Sequence, residues 1–150
     1  MPEKQTLQRA KRDKREGKAA STQAGEFVRE EIEHIREGKH GARSAKQAIA
    51  IGLSKARRAG VDLPPPKKGT TSDETRQSAA SAYRAGQEGD GKVSQARSRA
   101  ATEALKDEGH AAASSTALAR HARAVAKDKT AAERSAAARK GARTRAKTGR

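Results

Sequence analysis

Side chains able to build a core are scarce in this chain and unevenly placed. Only fourteen of its 150 residues are Leu, Ile, Val or Phe, whereas 33 are Ala. Nine of the fourteen fall between residues 21 and 66: Phe27, Val28, Ile32, Ile35, Ile49, Ile51, Leu53, Val61 and Leu63. Chains with less than ~20% of these four residue types and a large net charge tend towards disorder. Alanine removes few methylenes from water and adds little hydrophobic driving force. The length allows one domain, but the composition argues against a large core and against an enclosed apolar pocket. An enzyme is therefore the least supported class.

The apolar segment reads as two helices. In the first, about 23–37, Val28, Ile32 and Ile35 recur on one helical face, with Ala24 and Phe27 beside them. Glu26, Glu30, Glu31 and Glu33 suit the positive end of its dipole. Gly38 and Gly41 bracket a turn, and Ser44 with Gln47 fits a capping box. The second helix then runs over about 44–59 on a stripe of Ala45, Ile49, Leu53 and Ala56, with Gly52 allowing a neighbour to approach closely. Gly60 and Val61 suit a left-handed stop, and Pro64, Pro65 and Pro66 forbid continuation. The connection is longer than the turn of a helix-turn-helix, so a plain hairpin is expected. A lone hairpin is marginally stable, which predicts self-association through it or stabilisation by a partner.

Outside residues 21–66 the reading is of tails. Residues 1–20 form a basic N-terminal arm. Residues 67–150 form an Ala/Arg-rich, low-complexity tail with nineteen basic and nine acidic residues, net +10. Thr71-Ser72-Asp73-Glu74 and Thr130-Ala131-Ala132-Glu133 fit capping boxes. The first opens a helix to about Ala85, stopped by Gly86. A break follows at Gly89, Asp90 and Gly91. Further helices are expected over about 94–108, from Ser114 or Ser115 to about Lys127, and from Thr130 to Lys140 or beyond. Val93, Leu105, Leu118, Val125 and Tyr83 are too few to hold such helices together, and short isolated helices are marginal in water. The expected fold class is thus all-α: a small helical hairpin with largely disordered or nascent-helical basic tails.

The functional signal is electrostatic. Lys and Arg number 34 against 18 Asp and Glu, a net charge of +16. Arg139, Lys140, Arg143, Arg145, Lys147 and Arg150 cluster without an intervening acid. Arg57, Arg58, Lys67 and Lys68 flank the prolines, and Lys11, Arg12, Lys14 and Arg15 crowd the N-terminal arm. One such cluster is most simply a solvated basic tail. Their sum points to a polyanion, because arginine forks grip phosphate oxygens and each neutralised phosphate releases counterions. Readers of single strands and of RNA stack bases on aromatic rings, and Phe27 and Tyr83 are the only aromatics here. Duplex DNA bound through its backbone is favoured over RNA.

Other chemistry finds little footing. There is no cysteine, which removes disulfides, thiolate zinc sites and cysteine nucleophiles. Glu31-Ile32-Glu33-His34 has the Glu-x-x-His spacing of di-iron bundles, but the second motif and the further carboxylates are missing. His34, His40, His110 and His121 read as surface residues, and neither metal nor cofactor is expected. No phosphate-binding loop or nucleophile elbow occurs. No secretory signal or apolar run of membrane-spanning length is seen, so cytoplasmic, nucleoid localisation without membrane insertion is expected.

Lys46-Gln47-Ala48-Ile49-Ala50-Ile51-Gly52-Leu53-Ser54, with Ala56-Arg57, resembles the hallmark of a family of small basic bacterial proteins that carry an uncharacterised domain. Members are often labelled DNA-binding. The likeness is closest over residues 21–68 and implies DNA binding without implying particular binding residues. The tail resembles lysine-rich, histone H1-like bacterial proteins in composition. The leading expectation is non-enzymatic, largely sequence-nonspecific DNA binding by a histone-like, nucleoid-associated protein. An RNA- or ribosome-associated protein and a hydrophilic stress-protection protein are the alternatives.

Overall fold

The computed structural model describes residues 2–89 and 94–148. Among them the chain is all-helical. The elements are α1 (Lys4–Arg15), α2 (Ala20–Arg36), α3 (Ala45–Arg58), α4 (Asp73–Gln87), α5 (Gln95–Lys106), a 3-10 turn (Ala111–Ala113), α6 (Ser115–Lys127) and α7 (Ala131–Thr148). The chain divides into two units, Met1–Ser114 and Ser115–Arg150.

The expected hairpin is present as α2 and α3. Ser44 caps α3, its Oγ accepting from the Gln47 N–H at 3.1 Å. The Gln47 side chain reaches back one residue further than a capping box, accepting from the Arg43 N–H at 2.6 Å. At the other end the Gly60 N–H donates to Arg57 O and the Val61 N–H to Ala56 O, both 3.1 Å, with Gly60 at φ +96. That is a Schellman stop. Gly38 ends α2 in the same way at φ +78.

A two-helix hairpin with disordered tails is not what the chain forms. In the first unit α1 packs on α2, α2 on α3 and α3 on α4. The core joins Ala10 of α1, Ala24 and Phe27 of α2, Ala56 of α3 and Val61. Leu7, Ala20, Leu53 and Leu63 pack against it. The reason lies in what small residues permit. Where side chains are small, helix backbones come close, and dispersion between many atom pairs compensates for missing bulk. A Cβ built on Gly52 would stand 2.6 Å from Val28 Cα. One built on Gly86 would stand 1.8 Å from Arg57 O. Gly86, read as a stop, therefore lies inside α4, where it lets that helix rest on the end of α3. The cap of α4 also sits one residue later than expected, with Ser72 Oγ accepting from the Thr75 N–H at 3.2 Å.

Charge pairs complete the docking of α1. Arg9 Nε–H donates to Glu26 Oε2 at 2.8 Å. Asp13 is buried, and its Oδ1 accepts from Lys18 Nζ at 2.8 Å. That bond, followed by the pairing with Glu16, raises the Lys18 ammonium above its ordinary value.

After α4, the break expected at Gly89, Asp90 and Gly91 lies mostly outside the described residues, as does Val93. Ser94 caps α5, its Oγ accepting from the Arg97 N–H at 3.2 Å. The end of α5 and the segment after it are tied back by backbone bonds: Gly41 N–H to Leu105 O at 2.8 Å and Ala42 N–H to Gly109 O at 3.0 Å. Arg36 Nε–H reaches Ala113 O at 2.8 Å. Gly41 is required there, because a Cβ would stand 2.0 Å from Glu108 O.

In the second unit the Thr130–Glu133 box forms in both directions, at 3.1 Å and 2.7 Å. Arg134 Nη1 donates to Lys129 O at 2.6 Å and Ala126 O at 3.3 Å, closing the end of α6. Among the described residues no helix is long and apolar enough to cross a membrane.

Candidate functional site

The helices sort the cations into two populations. Along α1, Lys11, Lys14 and Arg15 share one exposed face at i, i+3 and i+4. None of the three has an ion-pair partner among the described residues. Arg12 is also exposed, 3.9 Å from Glu16. Arg9 and Lys18 of the same arm are engaged with Glu26 and Asp13. Along α7, Arg139, Arg143 and Lys147 fall at i, i+4 and i+8, with Lys140 beside them, all exposed. Arg145 projects from the opposite side of that helix. Arg150 lies outside the described residues.

The cluster around the prolines divides further. Lys67 and Lys68 are exposed in the loop before α4. Arg58 is half-buried and lines a cleft. Arg57 is buried: its Nε–H donates to Leu63 O at 3.0 Å and its Nη2 to Pro64 O at 3.3 Å. Burial pulls its guanidinium below its ordinary value. Arg57 thus holds the chain that leaves α3. The two aromatics are engaged as well. Phe27 is buried in the core, and Tyr83 Oη donates to Asp62 Oδ1 at 2.6 Å.

A second constellation lies in the first unit, in a cleft of about 610 Å³ between α5 and the α2–α3 pair. Its floor carries Glu31, His34 and His40. Glu31 is fully buried and Glu30 beside it is 2% exposed. Lys55 from α3 bonds Glu31 Oε1. Glu30 Oε1 accepts the Glu3 N–H at 2.8 Å. His40 Nδ1 lies 2.9 Å from Gly41 O, and its Nε2 lies 3.1 Å from Glu31 Oε2. His34 Nε2 lies 3.0 Å from Glu3 Oε1. The exposed carboxyl of Glu3 is held below its ordinary value, chiefly by that bond.

This corrects the reading of the histidines as surface residues. His110 is exposed, but His40 is buried and His34 is half-buried. The Schellman turn at Gly38 reverses the chain just after α2 and carries His40 back over Glu31. The Glu-x-x-His spacing was a signal for Glu31 and His34. Nothing local announced His40 or Lys55 as their neighbours.

Residues 4–68, from α1 to the two lysines after the proline stretch, match a family of unknown function (DUF6496). No curated protein and no solved structure matches the chain.

Proposed function

We propose that this chain binds duplex DNA without enzymatic action, largely independently of sequence, as a nucleoid-associated, histone-like protein. The observation that carries the reading is the pair of exposed cationic faces, Lys11/Lys14/Arg15 on α1 and Arg139/Arg143/Lys147 on α7. Neither face is neutralised by ion pairing among the described residues, in a chain of net charge +16. Cations three or four residues apart on a helix form a row of phosphate ligands. Phosphate contacts of this kind position a protein without reading sequence. The placement of Phe27 and Tyr83 supports duplex over single strand, since neither ring is presented as a stacking platform.

Fluorescence anisotropy of a labelled duplex, titrated across salt, tests this. The logarithm of the binding constant is expected to fall linearly with the logarithm of salt, with a slope of about −0.9 for each phosphate neutralised. Unlabelled duplex should compete better than structured RNA or single strand of equal charge. Binding that ignores salt, or no binding in dilute buffer, overturns the proposal. Preferential competition by RNA moves the function to RNA.

A further inference from the structure

We infer that Glu31, His34 and His40 form a binding site for a divalent transition-metal ion of the zinc class, opening onto the cleft between α5 and the α2–α3 pair. Each of the three side chains places a ligand atom within 4.8 Å of the other two. The ligand atoms of a tetrahedral zinc ion stand about 3.3 Å apart, so small side-chain rotations close the set. Two imidazoles and one carboxylate make the three-ligand pattern that leaves a coordination position open. Imidazole nitrogen favours zinc, copper, iron or nickel over magnesium or calcium.

Hydrogen bonding around His40 suits the same ion. A carbonyl oxygen only accepts, so the His40 tautomer that bonds Gly41 O is the one with its proton on Nδ1. That tautomer leaves the lone pair on Nε2, which faces Glu31 Oε2 at 3.1 Å. In that tautomer Nε2 and Glu31 Oε2 are both open to one shared ion. Glu31 Oε2 is buried and makes no hydrogen bond, although Lys55 bonds the other oxygen of the same carboxylate. Oε2 is thus the atom left for an ion, and the carboxylate would bind through one oxygen. A buried carboxylate without full neutralisation is costly. Here Glu30 and Glu31 are buried side by side, and Glu30 Oε2 also makes no hydrogen bond.

The surroundings fit the same role. A metal-binding imidazole is held in orientation by a carbonyl or carboxylate neighbour. Gly41 O does this for His40, and Glu3 Oε1 lies beside His34. The two rings stand nearly perpendicular, at 84°, with centroids 6.3 Å apart. The neighbouring set of Glu3, Glu30 and His34 competes for the shared histidine. It is the weaker choice, because Glu3 is exposed and that set offers one imidazole instead of two. Lys55 and Lys39 oppose a cation in the cleft, whereas Glu3, Glu30 and Glu31 favour one.

Cobalt titration of the chelator-treated full chain, without nucleic acid, is the test. One equivalent of Co²⁺ should develop visible absorption that zinc bleaches. His34→Ala, His40→Ala and Glu31→Gln should each weaken binding more than about a hundredfold, beyond the loss typical of an outer-sphere partner. His110→Ala and His121→Ala should leave it unchanged. No absorption, or absorption lost only in the His110 and His121 variants, overturns the site. Should the ligand variants fail to fold by circular dichroism, proton resonances of the wild-type imidazoles decide. Paramagnetic broadening by Co²⁺ confined to His34 and His40 supports the site, and any other pattern refutes it.

Discussion

Gly52 of α3 rests directly on the backbone of Val28 in α2, at a spacing that leaves no room for a methyl group. A Cβ there would stand 2.6 Å from Val28 Cα and 2.9 Å from Val28 N. Both contacts are backbone, so no rotamer change relieves them. Gly52→Ala gains about 1 kcal/mol of helix propensity. Overpacking two helices against each other costs about 1–3 kcal/mol, and rigid backbone neighbours place this site at the upper end. Net destabilisation is expected. Gly25, inside α2, has nothing within 4 Å of an added Cβ. Gly25→Ala should therefore stabilise by about 0.5–1 kcal/mol. Urea melts of the two variants should move in opposite directions, and a common direction would refute the close-packing account.

The contrast explains which parts of the fold were legible. Val28, Ile32 and Ile35 announce α2 by periodicity, and Ser44, Gly60 and Thr130 act through bonds to residues three to five positions away. Such signals are written locally. The docking of α1 is not, because Leu7 and Ala10 form no long apolar stripe and Arg9 finds Glu26 only once the chain has turned back. Gly86 misleads for the same reason: locally it reads as a helix stop, but its use is a contact with Arg57. The exposed cations on α1 and α7 were legible as charge. That Arg57 would be buried was not, since its partners are carbonyls of the following loop. The pairing of His40 with Glu31 depends on a reversal at Gly38 that brings the loop back over α2.

Arg57 should behave as a structural residue. Arg57→Ala leaves the Leu63 and Pro64 carbonyls without their donor and should cost about 1–3 kcal/mol. Arg57→Lys keeps the charge but cannot bridge both carbonyls with one compact ammonium, so it should lose part of that. Under folded conditions neither change should alter the salt slope of DNA binding. Replacing exposed Lys67 and Lys68 with Gln should. Thermal melts and salt titrations on the same preparations separate the two roles.

Tyr83 offers a clean pH probe, because it is the only tyrosine and the chain has no tryptophan. Its hydroxyl donates to Asp62 at 2.6 Å, and that bond raises its pKa above 10.0. A raised folded value means the proton binds the native state more tightly. The contribution to stability is therefore complete below pH 10.0, the ordinary value, and is lost as pH rises through the folded value. Tyrosinate absorbance should titrate at higher pH than in the urea-unfolded chain. Asp62→Asn should bring the folded value back towards the unfolded one. Coincident curves for the folded and unfolded wild type would show that the bond does not persist in solution.

The separation of α1 cations into exposed and engaged sets predicts a dissociation between affinity and stability. Lys11, Lys14 and Arg15 face solvent, whereas Arg9 is joined to Glu26 at 2.8 Å across the α1–α2 contact. Converting the first three to Gln should reduce the magnitude of the salt slope by about 0.9 for each that meets a phosphate, with little change in melting temperature. Arg9→Gln should do the reverse, loosening α1 while leaving the slope intact. The same triple substitution on α7, at Arg139, Arg143 and Lys147, should also lower the slope. If α1 is the principal contact, its triple variant loses more affinity than that of α7; if α7 is, the order inverts. Equal slopes for all variants and the wild type would mean that neither helix face meets the phosphates.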